Sequence, residues 1–536
     1  MRDVIIVGSG GAGLSAAIHA KKAGLDVLVV SKTYPTHSQT SQAQGGINAV
    51  LNQKDSTEKH AADTLKSSHG LGNQYVIQHM CENAKATIEW LDELGVPFTR
   101  DESFMIDQRK MGGASFARVC YSSDYTGLKI LHTLYDTCLK ESIDFLHEHM
   151  LLNFIVENKK VIGITALDIC KGEVKELLAK RVIVATGGYI SLYNGFNTNS
   201  KATTGDGIAA ALRAGAKVSN MEFVQFHPTA IKGANVLISE SARGEGGYIV
   251  DEEGNRFIDE LKPRDEVARA IYEKIQNNHE VFLDVRHLGL DKINQAIPQE
   301  RRLAMDFAKV KLEEELLSIN PAAHYCMGGI CVNENAQTTL ENLYACGECA
   351  QTNVHGANRL GGNSLLEIIT FGQIAALHCV NELKNSTIKK TTPTQQFLND
   401  KAFIEQVYSF PNQIDFYAQK EFMGKIFFRN VGLFRNDLNM KAVLSQIRQW
   451  QKEFAFMGIG DKSKLYNQNL VEFIEFGNML ELSEVVVISA ISRCESRGAH
   501  FRSDHPFEVE DFAKNSMAYK HEGILAVDFE GNKDEN

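Results

Sequence analysis

The sequence has no excess of basic residues, no cysteine framework and no long apolar run. Its 56 Lys and Arg residues are outnumbered by 67 Asp and Glu residues, and the net charge of −11 argues against a nucleic-acid partner. The ten cysteines are scattered, which favours free thiols in a reducing compartment. The segment 485–491 is among the longest apolar runs and is far too short to cross a membrane. Direct membrane insertion is therefore not expected.

The chain length indicates how many domains to expect, and the first residues indicate where in the cell the protein is located. A chain of 536 residues exceeds what one hydrophobic core supports, so two to four domains are expected. Residues 1–7 have the pattern of a buried strand rather than of a signal peptide or a twin-arginine leader, so a cytoplasmic location is expected. Because the chain is acidic overall, an anionic substrate must be bound by a local cluster of cations.

The N-terminus has the pattern of a βαβ unit that binds a dinucleotide. The apolar run 3–7 precedes Gly8, Gly10 and Gly13 in the spacing Gly-x-Gly-x-x-Gly, and an Ala-rich helix pattern and a second strand at 26–30 follow. The first glycine allows a tight turn, the second admits a pyrophosphate and the third lets the helix pack on the strand. A small-residue turn in an unrelated βαβ unit is the alternative. The position at the start of a long chain favours FAD over NAD by analogy.

Periodicity divides the following residues into helical and strand-forming stretches. Helical spacing runs over 56–94 and 126–140. Four strand-like segments with short turns lie at 145–154, 160–167, 173–178 and 181–185. They predict an antiparallel sheet inserted into the dinucleotide fold, with the last segment returning the chain to the parallel sheet.

These patterns predict an α/β protein with a Rossmann-like FAD-binding domain, an inserted α+β capping domain and a C-terminal helical domain. The polar stretch 384–395 is interpreted as a linker. The predicted boundaries are 1–220 and 330–383 for the two parts of the FAD-binding domain, 221–329 for the capping domain, 396–510 for the helical domain and 511–536 for a C-terminal tail, with 531–536 solvated.

Five segments contain the residues that could carry chemistry. They are 222–229, 239–247, 263–265, 323–329 and the loop 355–365. Each has an ordinary structural explanation, because a lone histidine is more often a satisfied core or surface residue and an Arg-Asp pair is usually an exposed ion pair. The loop 355–365 is more specific, since its glycines and Arg359 let backbone and guanidinium approach a bound anion closely.

Together these segments resemble one known family. The loop 355–365, with the sequence HGANRLGGNSL, matches almost letter for letter a loop of the succinate dehydrogenase/fumarate reductase flavoproteins and of the related L-aspartate oxidases. The other four segments resemble the capping domain of these flavoproteins in order and separation, and 494–502 resembles a further landmark. The resemblance runs from Asp3 to about Pro506. It implies FAD-dependent interconversion of fumarate and succinate with an iron–sulfur subunit as partner, and a membrane-associated subunit as a further option.

The resemblance also implies roles for individual residues. The residues implied to bind the two carboxylates of a C4 dicarboxylate are His227, Ser239, His324 and Arg359. Arg264 is implied as the proton donor, and Glu240 and Arg243 as the groups that resupply it. Chemistry alone would favour a histidine as the donor, because a guanidinium essentially never loses its proton. The alternative is that Arg264 only binds substrate.

The FAD contacts implied by the resemblance include one departure from the family pattern. They are Gly8, Gly10, Gly13, Ser31, Lys32, Ser38, Gln39, Thr40, Gly45, Gly46, Thr186, Gly187, Asp206, Glu348, Arg359, Ser364 and Leu365. The dehydrogenases usually carry a histidine joined covalently to the flavin at the position of Gln39. FAD is therefore expected to be non-covalent, and attachment at His37, two residues earlier, is the alternative.

Cys346 and Cys349 have the Cys-x-x-Cys spacing of a redox or zinc motif. No second cysteine pair lies at zinc-finger spacing, and the resemblance implies that the Gly-Glu pair between them binds FAD. Both cysteines are expected to be packed small hydrophobes. No metal site or iron–sulfur cluster is expected in this chain.

L-aspartate oxidase is the alternative activity, and 321–325 looks more like that enzyme. Aspartate oxidases carry a Glu, placed to receive the substrate ammonium, where this chain has Met111. The segments 118–135 and 498–502 follow the succinate dehydrogenase pattern, and aspartate oxidases usually have Leu at the position of Ala499. Fumarate reductase/succinate dehydrogenase is therefore favoured. A non-enzymatic electron carrier of the same fold is disfavoured, because the chain retains all of the residues implied to bind or protonate the substrate: His227, Glu240, Arg264, His324 and Arg359.

Overall fold

A computed structural model describes residues 1–383 and 392–531; residues 384–391 of the predicted linker lie outside the described residues. The strands are β1 Arg2–Val7, β2 Val27–Val30, β3 Ile47–Asn48, β4 Gln108–Arg109, β5 Val119–Cys120, β6 Asp144–Leu146, β7 His149–Glu157, β8 Lys160–Asp168, β9 Glu173–Val184, β10 Val218–Ser219, β11 Val224–Ile231, β12 Tyr248–Asp251, β13 Val281–Asp284, β14 Leu317–Cys326, β15 Gly329–Cys331, β16 Leu343–Ala345, β17 Ala350–Gln351, β18 Asn515–His521 and β19 Ile524–Glu530. The helices are α1 Gly11–Lys22, α2 Thr57–Ser67, α3 Gln74–Glu93, α4 Thr126–Lys140, α5 Asp206–Arg213, α6 Glu240–Gly244, α7 Arg264–Gln276, α8 Gly289–Ala296, α9 Pro298–Leu303, α10 Asn363–Glu382, α11 Gln395–Val407, α12 Phe416–Asn430, α13 Asp437–Glu453 and α14 Gln468–Ser492.

The central sheet has the parallel core that the dinucleotide motif predicts. Its strand order is β6-β2-β1-β9-β8-β7, and β16 also pairs with β9. Strand β9 changes partners along its length. Residues 173–178 pair antiparallel with β8, and residues 179–184 pair parallel with β1. On its other side, residues 182–184 pair parallel with β16. One continuous strand thus joins the inserted antiparallel strands to the parallel core, where the sequence predicted two separate segments.

The capping region is an antiparallel sheet of order β11-β14-β13-β12 with its own apolar core. The pair formed by the edge strand β11 and β14 has two shifts of register. Their pairing sets His227 opposite Ala322, so the histidines of the segments 222–229 and 323–329 come close together. The predicted α+β character of this region is confirmed, whereas the boundaries at 220 and 329 stay a prediction.

The C-terminal region is helical up to α14, but its end is not a tail. Helices α11 to α14 lie in the predicted helical region. Strands β18 and β19 then form a hairpin, and β18 pairs with β10 of a five-stranded sheet of order β17-β15-β10-β18-β19. The prediction of a tail over 511–536 is therefore wrong for 515–530. These residues gain backbone partners almost 300 positions earlier in the chain, which no local pattern indicates.

Helix α10 is the one described helix that is long and apolar enough to cross a membrane, which the run lengths in the sequence did not indicate. It has 20 residues, and 61% of its apolar window is buried inside the protein. It packs against α1 and α3. These contacts are those of a core helix, whose apolar residues serve packing on the central sheet.

A buried cluster of charges ties α14 to the start of β11. The Arg493 guanidinium lies 2.7 Å from Glu222 Oε1 and 3.0 Å from Glu495 Oε1, and all three side chains are fully buried. Removing one partner of a buried ion pair costs about 3–5 kcal/mol, whereas an exposed pair contributes about 0–1 kcal/mol.

We expect Arg493→Met to lower the midpoint of thermal unfolding far more than Arg448→Met does. Arg448 is the matched control because it pairs with Glu484 on the exposed side of the helical region. Differential scanning fluorimetry of the two variants measures the difference. Equal midpoints would show that the Arg493 cluster does not stabilise the fold.

Candidate functional site

One large cavity lies at the carboxyl ends of β1, β2 and β9, under the capping sheet. Its volume is about 220 Å³, and its lining extends from the β1–α1 turn to the capping residues His227, Arg264 and His324. Apart from Gly13 and Arg243, every residue that the sequence analysis proposed for the site lines it.

The turn between β1 and α1 has the geometry that the glycine spacing predicts. Gly8 has φ +113°, and a Cβ on it would lie 2.1 Å from the Ala185 carbonyl oxygen. A Cβ on Gly13 would lie 2.0 Å from the Gly8 carbonyl oxygen, so Gly13 allows close packing rather than ligand contact. Gly10 lines the cavity and precedes α1 without a side-chain cap. The Gly11 N–H, the first of α1, donates to Thr40 Oγ1 at 3.0 Å, and the N–H groups that follow it in the first turn suit a bound anion such as a pyrophosphate.

Lys32 is held between two carboxylates on the cavity wall at the end of β2. Its Nζ lies 2.6 Å from Asp206 Oδ2 and 2.7 Å from Glu475 Oε1. In dinucleotide folds a carboxylate near this strand commonly binds the ribose. Here Asp206 is the lining carboxylate beside Ser31 and Lys32, and it comes from α5 rather than from the end of β2.

Four buried polar atoms of cavity-lining residues have no hydrogen-bond partner within the described chain. They are Ser38 Oγ, Gln44 Oε1, Thr186 Oγ1 and Arg359 Nε. Buried polar groups are normally paired, so these atoms suit a polar ligand. A second helix, α10, begins at the cavity after Gly362, which has φ +83° and provides no side-chain cap. The N-termini of α1 and α10 and the unpaired atoms fit the phosphates and polar ring edge of FAD.

Arg264 and Glu240 form a buried ion pair at the part of the cavity covered by the capping sheet. Arg264 Nε donates to Glu240 Oε2 at 2.7 Å, and a terminal guanidinium nitrogen lies 2.7 Å from the same oxygen. The other carboxylate oxygen accepts from the Gly112 N–H at 2.7 Å. Burial raises the pKa of Glu240, but the charges of Arg264 and Arg243 outweigh it and keep the pKa below its ordinary value. Glu240 is therefore ionised.

Arg243 lies behind this pair and does not line the cavity. One of its terminal nitrogens is 3.9 Å from Glu240 Oε2, and the other donates to the Glu260 carbonyl. Its side chain is fully buried, and its Nε has no partner in the part of the protein that the structure describes. Arg243, Glu240 and Arg264 thus form a row that ends at the cavity.

Gln225, which the sequence analysis did not propose, links the two arginines that face the cavity. Its Oε1 accepts from Arg264 at 3.2 Å and from Arg359 at 3.1 Å, and its Nε2 donates to the Arg359 carbonyl at 2.9 Å. The Arg359 guanidinium also stacks over the Tyr325 ring at 4.2 Å, and burial lowers the pKa of Arg359 to about 10. The spacing of Gln225 and His227, two apart on a strand, could have identified Gln225 as a site residue.

His227 and His324 face each other across the site with ring centroids 5.0 Å apart. Burial, reinforced by the nearby Arg264 charge, holds the pKa of both well below the ordinary value, so both rings are neutral. His227 Nδ1 accepts from the Thr229 N–H at 3.2 Å, which leaves its Nε2–H free to donate. His324 Nδ1 bonds to the Thr198 hydroxyl at 2.7 Å.

Ser239 and Met111 complete the wall beside these groups. Ser239 lines the cavity and caps α6, since its hydroxyl accepts from the Ser241 N–H at 3.2 Å. Met111 is buried and so close to Gly45 that a Cβ on the glycine would lie 2.5 Å from the Met111 methyl. Position 111 contributes no charged group, and Glu240, the carboxylate beside it, is already paired with Arg264.

The two positions that bear on flavin attachment both lie at the cavity. Gln39 and His37 line it, and Gln39 Oε1 accepts from the Ser200 N–H at 2.8 Å. Glu348 also lines the cavity; its Oε1 accepts from the Cys326 N–H at 3.0 Å, and burial raises its pKa to about 7. All three residues therefore line the cavity, and their contacts with FAD stay a prediction.

The Cys-x-x-Cys pair has the surroundings of buried thiols. Cys346 and Cys349 are fully buried, and burial raises the pKa of Cys349 to about 11. Such thiols are inert. Over 1–383 and 392–531, no group of three or more His, Cys, Asp or Glu side chains could hold a metal ion.

Comparison with known proteins agrees with this geometry. The model of the FAD binding domain matches residues 3–365, and the model of the fumarate reductase flavoprotein C-terminus matches residues 420–533. The flavoprotein subunit of 8-methylmenaquinol:fumarate reductase from Wolinella succinogenes is 37% identical over 96% of this chain and 88% of its own. The succinate dehydrogenase flavoprotein subunit of Rickettsia bellii is 36% identical over 94% of this chain and 90% of its own.

The same relationship is seen among solved structures. The Escherichia coli quinol fumarate reductase chain superposes with a TM-score of 0.93 at 31% identity, and the match covers 99% of this chain and 96% of that one. The chain therefore belongs to the succinate dehydrogenase/fumarate reductase flavoprotein family and is an FAD-dependent catalytic subunit of that family.

Proposed function

We propose that this subunit interconverts fumarate and succinate at the cavity under the capping sheet and exchanges the electrons with an iron–sulfur partner subunit. The observation that carries the proposal is the convergence of Arg264, Arg359, His227 and His324 on one stretch of the cavity. A C4 dicarboxylate brings two negative charges, and charge-assisted hydrogen bonds to it are roughly twice as strong as neutral ones. An acidic chain with this local cluster of donors suits such a substrate.

The binding roles follow from the protonation of each group. Neutral His227 offers its Nε2–H, Ser239 offers a hydroxyl, and the Arg359 fork suits a carboxylate because its two N–H groups are parallel. Stacking on Tyr325 and the bond to Gln225 keep that fork oriented. FAD supplies the two-electron chemistry at one alkene carbon when it is bound.

Arg264 is the proposed proton donor to the other carbon. Its guanidinium reaches the cavity while the ionised Glu240 holds it at 2.7 Å. Because a guanidinium is a very weak acid and Glu240 is ionised, the proton must leave Arg264 while Glu240 takes up a proton from the Arg243 side and passes it on to Arg264. Arg243 stands on the far side of Glu240 at 3.9 Å, which completes a route for protons from behind the site.

The partner assignment rests on the relatives. Two of them are named a quinol and an 8-methylmenaquinol fumarate reductase, which supports electron exchange with a quinone through further subunits. We expect affinity-tagged chain to co-purify from its native host with an iron–sulfur protein and with the membrane fraction. Recovery of the chain alone at native expression levels would contradict this part of the proposal.

A steady-state assay tests the proposed reaction without the partner. The purified subunit with FAD should oxidise a reduced viologen dye when fumarate is added, and malonate should inhibit it as a competing dicarboxylate. A chain that carries FAD and shows no fumarate-dependent dye oxidation would contradict the proposal.

The flavin is proposed to be dissociable, because Gln39 lacks the imidazole that forms the covalent bond in relatives. His37 is two residues away and ends the short 3-10 turn Pro35–His37, whereas Gln39 begins the next turn, Gln39–Gln42. After acid precipitation we expect the yellow colour in the supernatant. A non-covalent flavin is also expected to have a lower potential, which favours fumarate reduction over succinate oxidation.

The alternative outcome of this test is equally specific. Yellow colour in the pellet, with a flavin-bearing peptide that contains His37, would show that His37 replaces the usual histidine. The Gln39→His variant is the matched comparison, since it restores an imidazole at the family position.

A further inference from the structure

Behind the loop that carries Arg359, a buried network of amide, imidazole and hydroxyl groups holds the start of α10. Asn363, the first residue of that helix, has no exposed surface. Its Oδ1 lies 2.7 Å from Asn48 Nδ2 and 2.9 Å from His60 Nε2, and its Nδ2 lies 2.9 Å from Thr64 Oγ1. Asn48, His60 and Thr64 are also buried, so two other elements, β3 and α2, fix this residue.

Two backbone carbonyls, those of His60 and Gly361, accept hydrogen bonds from the network and thereby fix the direction of its other bonds. The Thr64 hydroxyl donates its one proton to the His60 carbonyl at 2.9 Å, so Thr64 Oγ1 accepts from Asn363 Nδ2. That orientation turns Asn363 Oδ1, an acceptor, toward His60 Nε2. His60 must therefore carry its proton on Nε2 and donate it.

Asn48 is oriented in the same way from the other side. Its Nδ2 donates to the Gly361 carbonyl at 2.8 Å, so the same nitrogen donates its second proton to Asn363 Oδ1. The Asn48 backbone N–H also donates to the Gly362 carbonyl at 3.1 Å. Asn363 Oδ1 thus receives two donors, one from Asn48 and one from His60.

The residues held in this way face the reacting groups. Gly362, Ser364 and Leu365 line the cofactor cavity. A Cβ on Gly361 would lie 3.1 Å from Glu240 Oε2 and 3.5 Å from an Arg264 nitrogen. A small displacement of 361–365 therefore moves the uncapped N-terminus of α10 relative to FAD and presses on the Arg264–Glu240 pair.

We infer that His60 is a positioning residue: as a neutral ring protonated on Nε2 it fixes, through Asn363, both the N-terminus of α10 at the flavin and the loop that carries Arg359. Burial supports a single protonation state, since it lowers the pKa of His60 to about 4. A helix N-terminus carries partial positive charge. Held beside a bound flavin, this N-terminus would favour the reduced, more negative form and would raise the midpoint potential.

The test compares variants that keep or remove the Nε2–H donor. In His60→Leu the donor is lost, and we expect a more negative flavin midpoint potential and a KM for fumarate raised about three- to tenfold, since one buried bond and its unpaired acceptor are at stake. In His60→Gln the side-chain amide can donate to Asn363 Oδ1, so both values should return close to wild type. His19→Leu, in a partly buried histidine of α1 that packs on Trp90, is the matched control.

The two measurements separate this inference from the proposed function. The KM for fumarate can be measured only if the proposed reaction is correct. The flavin midpoint potential can be measured on any preparation that holds FAD. His60→Phe, which keeps a ring and removes the donor, replaces His60→Leu if that variant does not fold. A donor-free variant with lower thermal stability but unchanged potential and KM would overturn the inference, and so would a His60→Gln variant as impaired as His60→Leu.

Discussion

Replacement of Arg264 by alanine should abolish fumarate reduction while FAD remains bound. Arg264 reaches the cavity from α7, and Glu240 and Gln225 hold its guanidinium at 2.7 and 3.2 Å. Loss of a general acid costs about 10²–10⁴ in rate. The substitution also leaves Glu240 buried without its main partner, so the effect should lie at the upper end of that range. FAD should be retained because Arg264 is not among the proposed cofactor contacts.

The control for Arg264→Ala is an arginine of the same region that does not reach the cavity. Arg286 is largely exposed and pairs with Asp284, so Arg286→Ala should keep nearly wild-type turnover. Steady-state dye assays and the flavin absorbance per chain measure the two effects separately. If Arg264→Ala retained more than half of the activity, Arg264 would have no place in the mechanism.

L-aspartate should not serve as an electron donor, whereas succinate should. The buried thioether of Met111 stands where aspartate oxidases carry the carboxylate for the substrate ammonium, and Glu240 is already paired with Arg264. An ammonium without a partner in this cationic site is disfavoured by several kcal/mol, on the order of the desolvation penalty of one buried ion. That penalty corresponds to a loss of several powers of ten in rate.

The discrimination is measured with one enzyme preparation and two substrates. Succinate-dependent dye reduction is compared with aspartate-dependent formation of iminoaspartate and peroxide. Met111→Glu is the informative variant, since it places a carboxylate at the ammonium position and should raise the aspartate rate above background. Comparable rates with aspartate and succinate in the wild-type chain would show that the activity was assigned to the wrong branch of the family.

Hydrophobic spacing and turn motifs predicted those helices and turns whose geometry depends on residues close together in the sequence. Helix α4 has the bounds predicted from its spacing, and the β1–α1 turn has the geometry of its glycine motif. The helical pattern over 56–94 is divided between α2 and α3 because His69 and Gly70 adopt positive φ, at 52° and 77°. Strand β18 was missed because its partner β10 is distant in the sequence, and β19 was missed because it has no fully buried residue that would mark a core strand.

The site required information that no single segment contains. Segments 222–229 and 355–365 are separated by more than 120 residues, and only the family resemblance brought them together before the fold did. Gln225 was missed although it lies in a recognised segment, because its role depends on the separation of two arginine side chains in space. Asn48 and His60 were missed for the same reason, since they act on the loop from behind through Asn363.

A single-turnover measurement tests the central claim most directly. The purified subunit with bound FAD is reduced anaerobically with dithionite, and fumarate is added while the flavin absorbance is followed and succinate is quantified. The account predicts reoxidation of the flavin with one succinate formed per flavin, and loss of this reaction in Arg264→Ala. Reduced flavin that persists with saturating fumarate, in a chain shown to hold one FAD, would contradict the account.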